Sequence, residues 1–336
     1  MTPEVQFYLD SPTRVGFPET GLVFDIDPTA FTLFGIDIRW YGIIIAAGML
    51  LAFLYCFKRM TSFGISPDRA IDVVIGGVVG AIIGARLYYV AFSDDVTIAD
   101  FFRIRNGGLA IYGGLIGAVV VGIVIMKFRK VKILPMLDVA SLGFLIGQAV
   151  GRWGNFVNQE AYGDITTLPW GMSSHRIQIE LGGGVYSEGL VMAHPCFLYE
   201  SLWCILGFVI LHFFSKKRSF DGQVFLSYVA WYGAGRFVIE GLRTDSLMLG
   251  RLRVSQVLAG ALVITAIVLL LVISSKYKRS GEPAVLYVNT EESEKLISED
   301  EQKYSKNIKK TEDAEESAED ETDNNDTEDN ENGEDN

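Results

Sequence analysis

The sequence has few of the features that cross-link a secreted protein or direct its export. It contains only three cysteines, Cys56, Cys196 and Cys204, in or beside apolar segments and without paired or metal-ligand spacing. We therefore expect packing roles and no disulfide framework. The stretch from Met1 to Asp37 has no basic segment followed by an apolar core, so no cleavable signal peptide is expected. The sequence also lacks an internal repeat, which argues against a secondary transporter.

Charge is scarce except at the end of the chain. The formal net charge is -12, but 21 of the 41 acidic residues and only 5 of the 29 basic residues lie from Gly281 onward, so the body is slightly basic. Such a polar, acidic segment cannot bury enough apolar surface to offset its ordering entropy. We expect residues 276–336 to be a disordered cytoplasmic tail. It is either solvated chain or an acidic arm for an unidentified cytoplasmic partner.

Apolar stretches of membrane-spanning length are abundant. A spanning helix needs about 20 mainly apolar residues, and seven stretches qualify: roughly 40–57, 70–92, 109–126, 133–156, 196–214, 223–242 and 252–273. The fourth and the sixth are the most polar. The sequence predicts an all-α membrane protein with seven transmembrane helices within residues 37–275, preceded by an external segment at residues 1–36.

Basic residues indicate the orientation, because lysine and arginine accumulate in cytoplasmic loops. Four basic clusters fall on one face: Lys58/Arg59/Arg69, Lys127/Arg129/Lys130/Lys132, Lys216/Lys217/Arg218 and Lys276/Lys278/Arg279. With seven spans, the amino terminus is then outside and the carboxyl terminus is cytoplasmic. Residues 93–108, 157–195 and 243–251 are expected outside, with 158–193 as a candidate small external head segment.

Ionisable residues at membrane depth mark candidate sites, because each costs roughly 2.5–3.5 kcal/mol even on lenient insertion scales. The fourth stretch ends in such a group, with Arg152 and Asn155 at i, i+3 spacing and Asn158 and Glu160 following. These side chains can converge on one ligand. The alternative is that the arginine and the amides cap the end of the helix.

The sixth stretch carries a polar stripe. Tyr232, Arg236, Glu240 and Arg243 follow at i, i+4, i+8 and i+11, which places them on one helical face. Arg243 leaves this stripe with excess positive charge, and a planar guanidinium suits bidentate phosphate binding. The alternative is a structural Arg236–Glu240 pair that neutralises itself.

A tyrosine and two glycines begin the third stretch. Tyr112 is followed by Gly113 and Gly114, which permit close approach of another backbone or of a ligand. Glycines in membrane helices are more often packing surfaces, and tyrosine is common at membrane interfaces. This group is weak evidence by itself.

Two further groups complete the candidates. His194 and Glu200 lie at the start of the fifth stretch, where a histidine is more often a helix cap or a surface residue than a catalyst. Arg39 and Tyr41 begin the first stretch, where the alternative for the arginine is an interfacial anchor. Arg86 is deeper, within the second stretch.

Together these blocks resemble, in the same order, the prolipoprotein diacylglyceryl transferase family of bacterial inner membranes. The resemblance runs from about residue 36 to 273 through Ile38–Gly42, Gly84–Arg86, Tyr112–Gly117, Gly151–Glu160, His194–Pro195 with Leu198–Glu200, and Arg236–Glu240. It implies transfer of the diacylglyceryl group of phosphatidylglycerol to the cysteine thiol of a prolipoprotein signal peptide. A thioether forms and glycerol phosphate is released, in the first step of lipoprotein maturation.

The resemblance also implies roles for the polar groups in a multi-pass protein of the cytoplasmic membrane. Arg152 and Arg236 are expected to stabilise the negative charge that grows on the departing phosphate. The other candidates for binding phosphatidylglycerol are Asn155, Asn158, Arg86, Gly113, Gly114, Tyr41, Tyr232, Arg243, His194 and Glu200. No cofactor, metal ion or nucleic acid is expected.

The proton acceptor stays open at this point. Many family members carry a histidine directly before the Gly-Gly pair, whereas this chain has Tyr112. An unperturbed phenol has a pKa near 10 and is a poor base, so we expect Tyr112 to orient the thiol or the phosphate. Glu160, Glu240 and His194 are the remaining candidate bases.

Two other classes compete with the transferase. A transporter or channel for an organic anion would use the same arginines, but the missing repeat and the outward position of the polar groups oppose it. Another phospholipid headgroup enzyme would need clustered aspartates for divalent metals, and none falls within an apolar stretch.

Overall fold

A computed structural model describes residues 1–93, 108, 110–184, 189–244, 248–249 and 252–307. The chain divides into two compact units. The first comprises residues 1–63 and 133–286, and the second comprises residues 64–132 with the described residues from 287 onward. Most of the loop predicted at 93–108, part of the loop at 243–251 and the tail beyond 307 lie outside the described residues.

Helices make up most of the described chain. They are α1 (Pro3–Leu9), α2 (Trp40–Arg59), α3 (Pro67–Phe92), α4 (Ile111–Phe128), α5 (Ile133–Val157), α6 (His175–Glu180), α7 (Cys196–Ser215), α8 (Gln223–Glu240) and α9 (Val254–Ser280). The strands are β1 (Arg14–Phe17), β2 (Leu22–Asp25), β3 (Thr29–Leu33), β4 (Ile36–Arg39), β5 (Ser173–Ser174), β6 (Met248–Leu249) and β7 (Leu252–Arg253). Short 3-10 turns include Met60–Phe63.

Six helices in the described part are long and apolar enough to cross a membrane: α2 with its following 3-10 turn, α3, α4, α5, α7 and α9. The sixth predicted span also forms a helix, α8, but it is not among these six. Its 18 residues include Gln223, Arg236 and Glu240, which lower its mean hydropathy. A mostly helical membrane protein is therefore confirmed, while the seventh span stays a prediction.

The start of α8 is fixed by a carboxylate on α5. Asp138 is fully buried, and its two carboxylate oxygens accept the backbone N–H groups of Gly222 and Phe225 at 2.7 and 2.8 Å. These are N-terminal N–H groups that have no partner within their own helix. Gly222 has φ +94°, a left-handed conformation that glycine adopts without strain. Asp138 thereby anchors α8 to α5.

The amino-terminal segment pairs with the predicted external head through short strands, which the sequence did not predict. Strand β1 lies between β2 and β5 in an antiparallel sheet, with Val15 opposite Phe24 on one side and Ser174 on the other. A separate hairpin joins β3 and β4. A buried cluster covers the sheet: Val15, Phe156, Tyr162, Met172, Ile177, Ala193 and Phe197. Short strands without regular alternation gave no signal in the sequence.

In the second unit, α3 and α4 pack through glycines. A Cβ added at Gly84 would lie 2.4 Å from the carbonyl oxygen of Gly113, and one at Gly117 would lie 2.1 Å from that of Gly80. Without side chains, the two backbones come into direct contact, as small residues allow in membrane helices. Gly113 thus has a packing role in this structure.

The acidic tail is ordered over its first part, in contrast to the predicted disorder from residue 276. Helix α9 continues to Ser280, and residues 291–307 are helical. Within the second unit, Arg69 holds Asp300 through two bonds of 2.6 and 3.1 Å. The buried Ser293 hydroxyl donates to the carbonyl oxygen of Gly64 at 2.8 Å. Composition alone could not predict these contacts, because they join residues that are distant in the sequence.

The first prediction concerns Asp300. Burial opposes its ionisation, but bonds from Arg69 and Ser66 outweigh burial and lower the pKa of Asp300. Asp300→Asn should weaken docking of the 291–307 helix by about 1.5–3 kcal/mol, the usual worth of a hydrogen bond to a charged group. Hydrogen exchange should therefore show protection of residues 291–300 falling about 10–100-fold.

The exposed Glu301→Gln should leave this protection unchanged. In the wild type, the contribution of Asp300 is fully present above its unfolded pKa near 3.9. It should disappear as the pH falls through the lower pKa of the docked state. Protection that is equal in Asp300→Asn and wild type would contradict the docking.

Candidate active site

A buried carboxylate at the start of α7 lies among three arginines. The side chain of Glu200 is 4% exposed, and its Oε2 lies 2.6 Å from Nη2 of Arg152. Its Oε1 lies 2.8 Å from Nη1 of Arg236 and 3.9 Å from Nη1 of Arg243. Arg152 belongs to α5 and Arg236 to α8. One carboxylate therefore joins side chains of three helices.

The network continues along α8. Nη2 of Arg236 also pairs with the carboxylate of Glu240, one turn further on, whose side chain is 2% exposed. The backbone carbonyl of Glu240 accepts a bond from Nη1 of Arg253. Arg253 was not among the predicted site residues. Its one signal in the sequence is its position directly before an apolar run. The Arg236–Glu240 pair thus exists as predicted, but it is part of a larger cluster.

The polar residues at the end of α5 form the other arm of the network. Nη1 of Arg152 donates to Oδ1 of Asn155 at 3.4 Å, and Nδ2 of Asn155 donates to Oε1 of Glu160 at 2.9 Å. Nδ2 of Asn158 donates to the same oxygen of Glu160 at 3.4 Å. The four predicted residues are therefore brought together.

Backbone groups, rather than these amide side chains, cap α5. Gln159 has φ +52°, and its N–H donates to the carbonyl of Phe156 at 3.1 Å. The N–H of Glu160 donates to the carbonyl of Asn155 at 2.9 Å. These two bonds with a left-handed residue between them form a Schellman cap. Holding a non-glycine residue in this conformation costs of order 1–3 kcal/mol, and it folds Glu160 back over α5.

Charges nearly balance within the network. Its four arginines and three glutamates are Arg152, Arg236, Arg243, Arg253, Glu160, Glu200 and Glu240. The positive excess predicted for the α8 stripe is thus offset by Glu200. Because Arg152 and Arg236 are each 21% exposed and a guanidinium has five N–H donors, an entering anion can bind them. To do so, it competes with Glu200.

Two tyrosines flank this network. Tyr232 stacks on Tyr228, with 5.8 Å between ring centroids and 13° between ring planes. The ring of Tyr41, at the start of α2, lies against Gly154 of α5, where an added Cβ would be 2.7 Å from Cδ2 of the ring. Tyr41 therefore lies beside the helix segment that carries Arg152.

His194 has a structural environment. Its Nδ1 and the Tyr199 hydroxyl are 3.2 Å apart, and its backbone N–H donates to the carbonyl of Asp164 at 3.1 Å. Its carbonyl accepts the N–H of Gly163 at 2.9 Å. A Cβ at Gly163 would lie 2.7 Å from the carbonyl oxygen of Leu242, so the close approach of these two backbone segments requires glycine at position 163.

The remaining predicted residues, apart from Arg39, lie in the second unit. Arg86 is 3% exposed and donates from Nη1 to the carbonyl of Gly108 at 3.0 Å. Tyr112 is 69% exposed at the start of α4. An added Cβ at Gly114 would be 3.5 Å from the carbonyl oxygen of Ala81. Arg39 precedes α2 and is exposed, which is compatible with an interfacial anchor.

Helices of membrane-spanning length and a buried arginine–glutamate network define a multi-pass membrane protein with a cluster of ionisable side chains inside its helix bundle. A sequence model of the prolipoprotein diacylglyceryl transferase family matches residues 28–272. The chain belongs to this family.

Proteins similar to this chain are named as members of the same family. The phosphatidylglycerol–prolipoprotein diacylglyceryl transferase of Clostridioides difficile is 42% identical over 258 residues, which are 76% of this chain and 98% of the relative. That of Finegoldia magna is 42% identical over 258 residues, covering 76% of this chain and 97% of the relative. That of Bacillus cereus (strain G9842) is 43% identical over 255 residues, covering 75% and 94%.

The second prediction tests whether Glu200 holds the network together. Glu200→Gln keeps the shape of the side chain but removes the charge shared by Arg152 and Arg236. Removing one partner of a buried ion pair costs roughly 3–5 kcal/mol, so thermal unfolding in detergent should show a clear loss of stability.

Glu292→Gln is the matched control. Glu292 pairs with Lys132 at 3.0 Å, but both side chains are nearly half exposed. An exposed pair is worth at most about 1 kcal/mol, so the melting temperature should change little. Equal melting shifts for the two variants would show that Glu200 is not the centre of the network.

Proposed function

We propose that this chain transfers the diacylglyceryl group from phosphatidylglycerol to the cysteine thiol of a prolipoprotein signal peptide. The product is a thioether, and glycerol phosphate is released. Membership of the family and the names of relatives at 42–43% identity support this reaction. The observation that carries it is the contact of Arg152 and Arg236 with one buried carboxylate.

The arginines suit the bond that breaks. A carbon–oxygen bond of the phosphate ester is cleaved, so negative charge grows on the departing phosphate oxygens. Guanidinium groups that are already oriented stabilise such charge strongly in a low-dielectric site. Arg152 is oriented by Glu200 and Asn155, and Arg236 by Glu200 and Glu240. We assign both arginines to the phosphate.

The attacking sulfur comes from the substrate. The thiol loses its proton, a carbon–sulfur bond forms, and the electron pair of the broken bond leaves on the phosphate. Nearby positive charge lowers the pKa of a thiol, so the same arginines favour the thiolate. Two of the candidate proton acceptors already have bonding partners. Glu160 accepts two amide bonds and Glu240 is paired with Arg236, which favours orienting roles for both.

We further propose that α8 is the seventh spanning helix, with the amino terminus outside and the carboxyl terminus in the cytoplasm. Basic residues at the ends of α2, α4 and α9 favour this orientation. In it, the sheet of β1, β2 and β5 and the described part of residues 158–193 form the external head. The location is then the bacterial cytoplasmic membrane.

The reaction is tested with purified protein, labelled phosphatidylglycerol and a lipoprotein signal peptide. A thioether product with one glycerol phosphate released per transfer would support the proposal. Movement of an organic anion across vesicles without any product would instead identify a transporter.

The third prediction concerns Arg152. Arg152→Ala should abolish transfer while the protein stays folded, and Arg152→Lys should restore little activity, because a point charge lacks the planar fork that binds two phosphate oxygens. Transfer rates are measured at matched amounts of folded protein. Arg176→Lys, at an exposed ion pair, is the control and should keep its activity. Near-normal turnover of Arg152→Lys would overturn the bidentate assignment.

The fourth prediction concerns Tyr112. If the phenol only positions substrate, Tyr112→Phe should lower the rate moderately, whereas loss of a general base typically costs about 10²–10⁴-fold. Tyr112→His should preserve or raise activity near neutral pH, since imidazole titrates in that range. Rates are compared against pH for the three proteins. A loss of about a thousandfold in Tyr112→Phe, with normal phospholipid binding, would identify Tyr112 as the base.

A further inference from the structure

Two tryptophans form a reciprocal contact between α7 and α8. Nε1 of Trp203 donates to the backbone carbonyl of Trp231 at 2.9 Å, and Nε1 of Trp231 donates to the carbonyl of Trp203 at 3.0 Å. The two rings are stacked, with 4.3 Å between centroids and 13° between planes. Each tryptophan therefore binds the backbone of the helix that carries the other.

A glycine makes room for each indole. Gly207 follows Trp203 by four residues, and Gly235 follows Trp231 by four. In an α-helix, the carbonyl of residue i accepts the N–H of residue i+4, so a side chain at i+4 would crowd a second donor at that carbonyl. A Cβ at Gly207 would lie 2.3 Å from Nε1 of Trp231, and one at Gly235 would lie 2.3 Å from Nε1 of Trp203.

This contact lies next to the ion pair of the candidate active site. Glu200 precedes Trp203 by three residues on α7, which is about 4.5 Å along the helix axis. Arg236 directly follows Gly235 on α8. A slide or rotation of α8 against α7 that moved Arg236 away from Glu200 would also break both indole bonds.

We propose that Trp203, Trp231, Gly207 and Gly235 are positioning residues that fix the Glu200–Arg236 geometry for transfer. The inference rests on the proposed function and adds four residues to it, none of which needs to touch substrate. Single hydrogen bonds between membrane helices contribute little to stability, whereas a displacement of about 1 Å at a positioned group can cost about 100-fold in rate. The contact should therefore affect turnover more than folding.

Gly235→Ala tests the proposal. Its methyl group must displace the indole of Trp203 or move α8. Gly233→Ala is the matched control, because Gly233 is buried in the same helix but faces α9 and not the indoles; an added Cβ there would be 2.7 Å from Cγ2 of Val263. At matched amounts of folded protein, we expect kcat to fall about 30–100-fold in Gly235→Ala, with KM for phosphatidylglycerol little changed. Gly233→Ala should stay near wild type.

A rescue variant separates positioning from general damage. Gly235→Ala combined with Trp203→Leu gives the methyl group room, so kcat should recover above that of Gly235→Ala alone, although Trp203→Leu alone is slower than wild type. If Gly235→Ala does not fold, Trp203→Phe and Trp231→Phe test the positioning role instead, because each removes one indole N–H and keeps an aromatic ring. Both should lower kcat at unchanged KM.

Three results would each overturn the positioning role. The first is a kcat within about threefold of wild type in Gly235→Ala or in both phenylalanine variants. The others are a loss of kcat in Gly233→Ala as large as that in Gly235→Ala, and no recovery of kcat when Trp203→Leu is added. Failure of the proposed function would look different, because the wild-type protein would then form no thioether. The positioning role fails only when wild type forms thioether and these variants behave in one of the ways named.

Discussion

The carboxylate of Glu200 is the interaction on which the site depends. It is buried at the start of α7 and contacts Arg152 from α5 and Arg236 from α8. Charges inside a helix bundle are costly unless they are paired, so the three helices must meet where these side chains meet. Asp138 fixes the start of α8, and the tryptophan contact fixes its middle. The backbone of the bundle is thus arranged around one ionic contact.

In the proposed function, the same contact lets a stable protein bind an anion. The arginines and glutamates of the network nearly balance, so the resting site carries no large uncompensated charge. Arg152 and Arg236 are nevertheless partly accessible and oriented by more than one acceptor. Under our proposal, an entering phosphate would compete with Glu200 for N–H groups that are already in place, and little reorganisation would then be needed as charge develops.

Features that are local in the sequence could be predicted. Apolar runs predicted the helices α2 to α5, α7, α8 and α9. Ionisable residues within these runs included Arg152, Arg236 and Glu240, which the structure brings into one network. Features that depend on distant partners were not. The pairing of β1 with β5, the docking of Asp300 on Arg69 and the indole bonds of Trp203 and Trp231 join residues far apart in the chain. Glu200 was a candidate, but its central position followed only from the helix packing.

Equilibrium binding of phosphatidylglycerol to Glu200→Gln, compared with wild type in phosphatidylcholine vesicles, tests the central claim most directly. In the proposed function, Glu200 would compete with the phosphate for the two arginines and would also orient them, so its charge would oppose ground-state binding and favour the transition state. At matched amounts of folded protein, we expect Glu200→Gln to bind phosphatidylglycerol several-fold more tightly and to transfer it more slowly. Weaker binding, or tighter binding with unchanged turnover, would contradict this account.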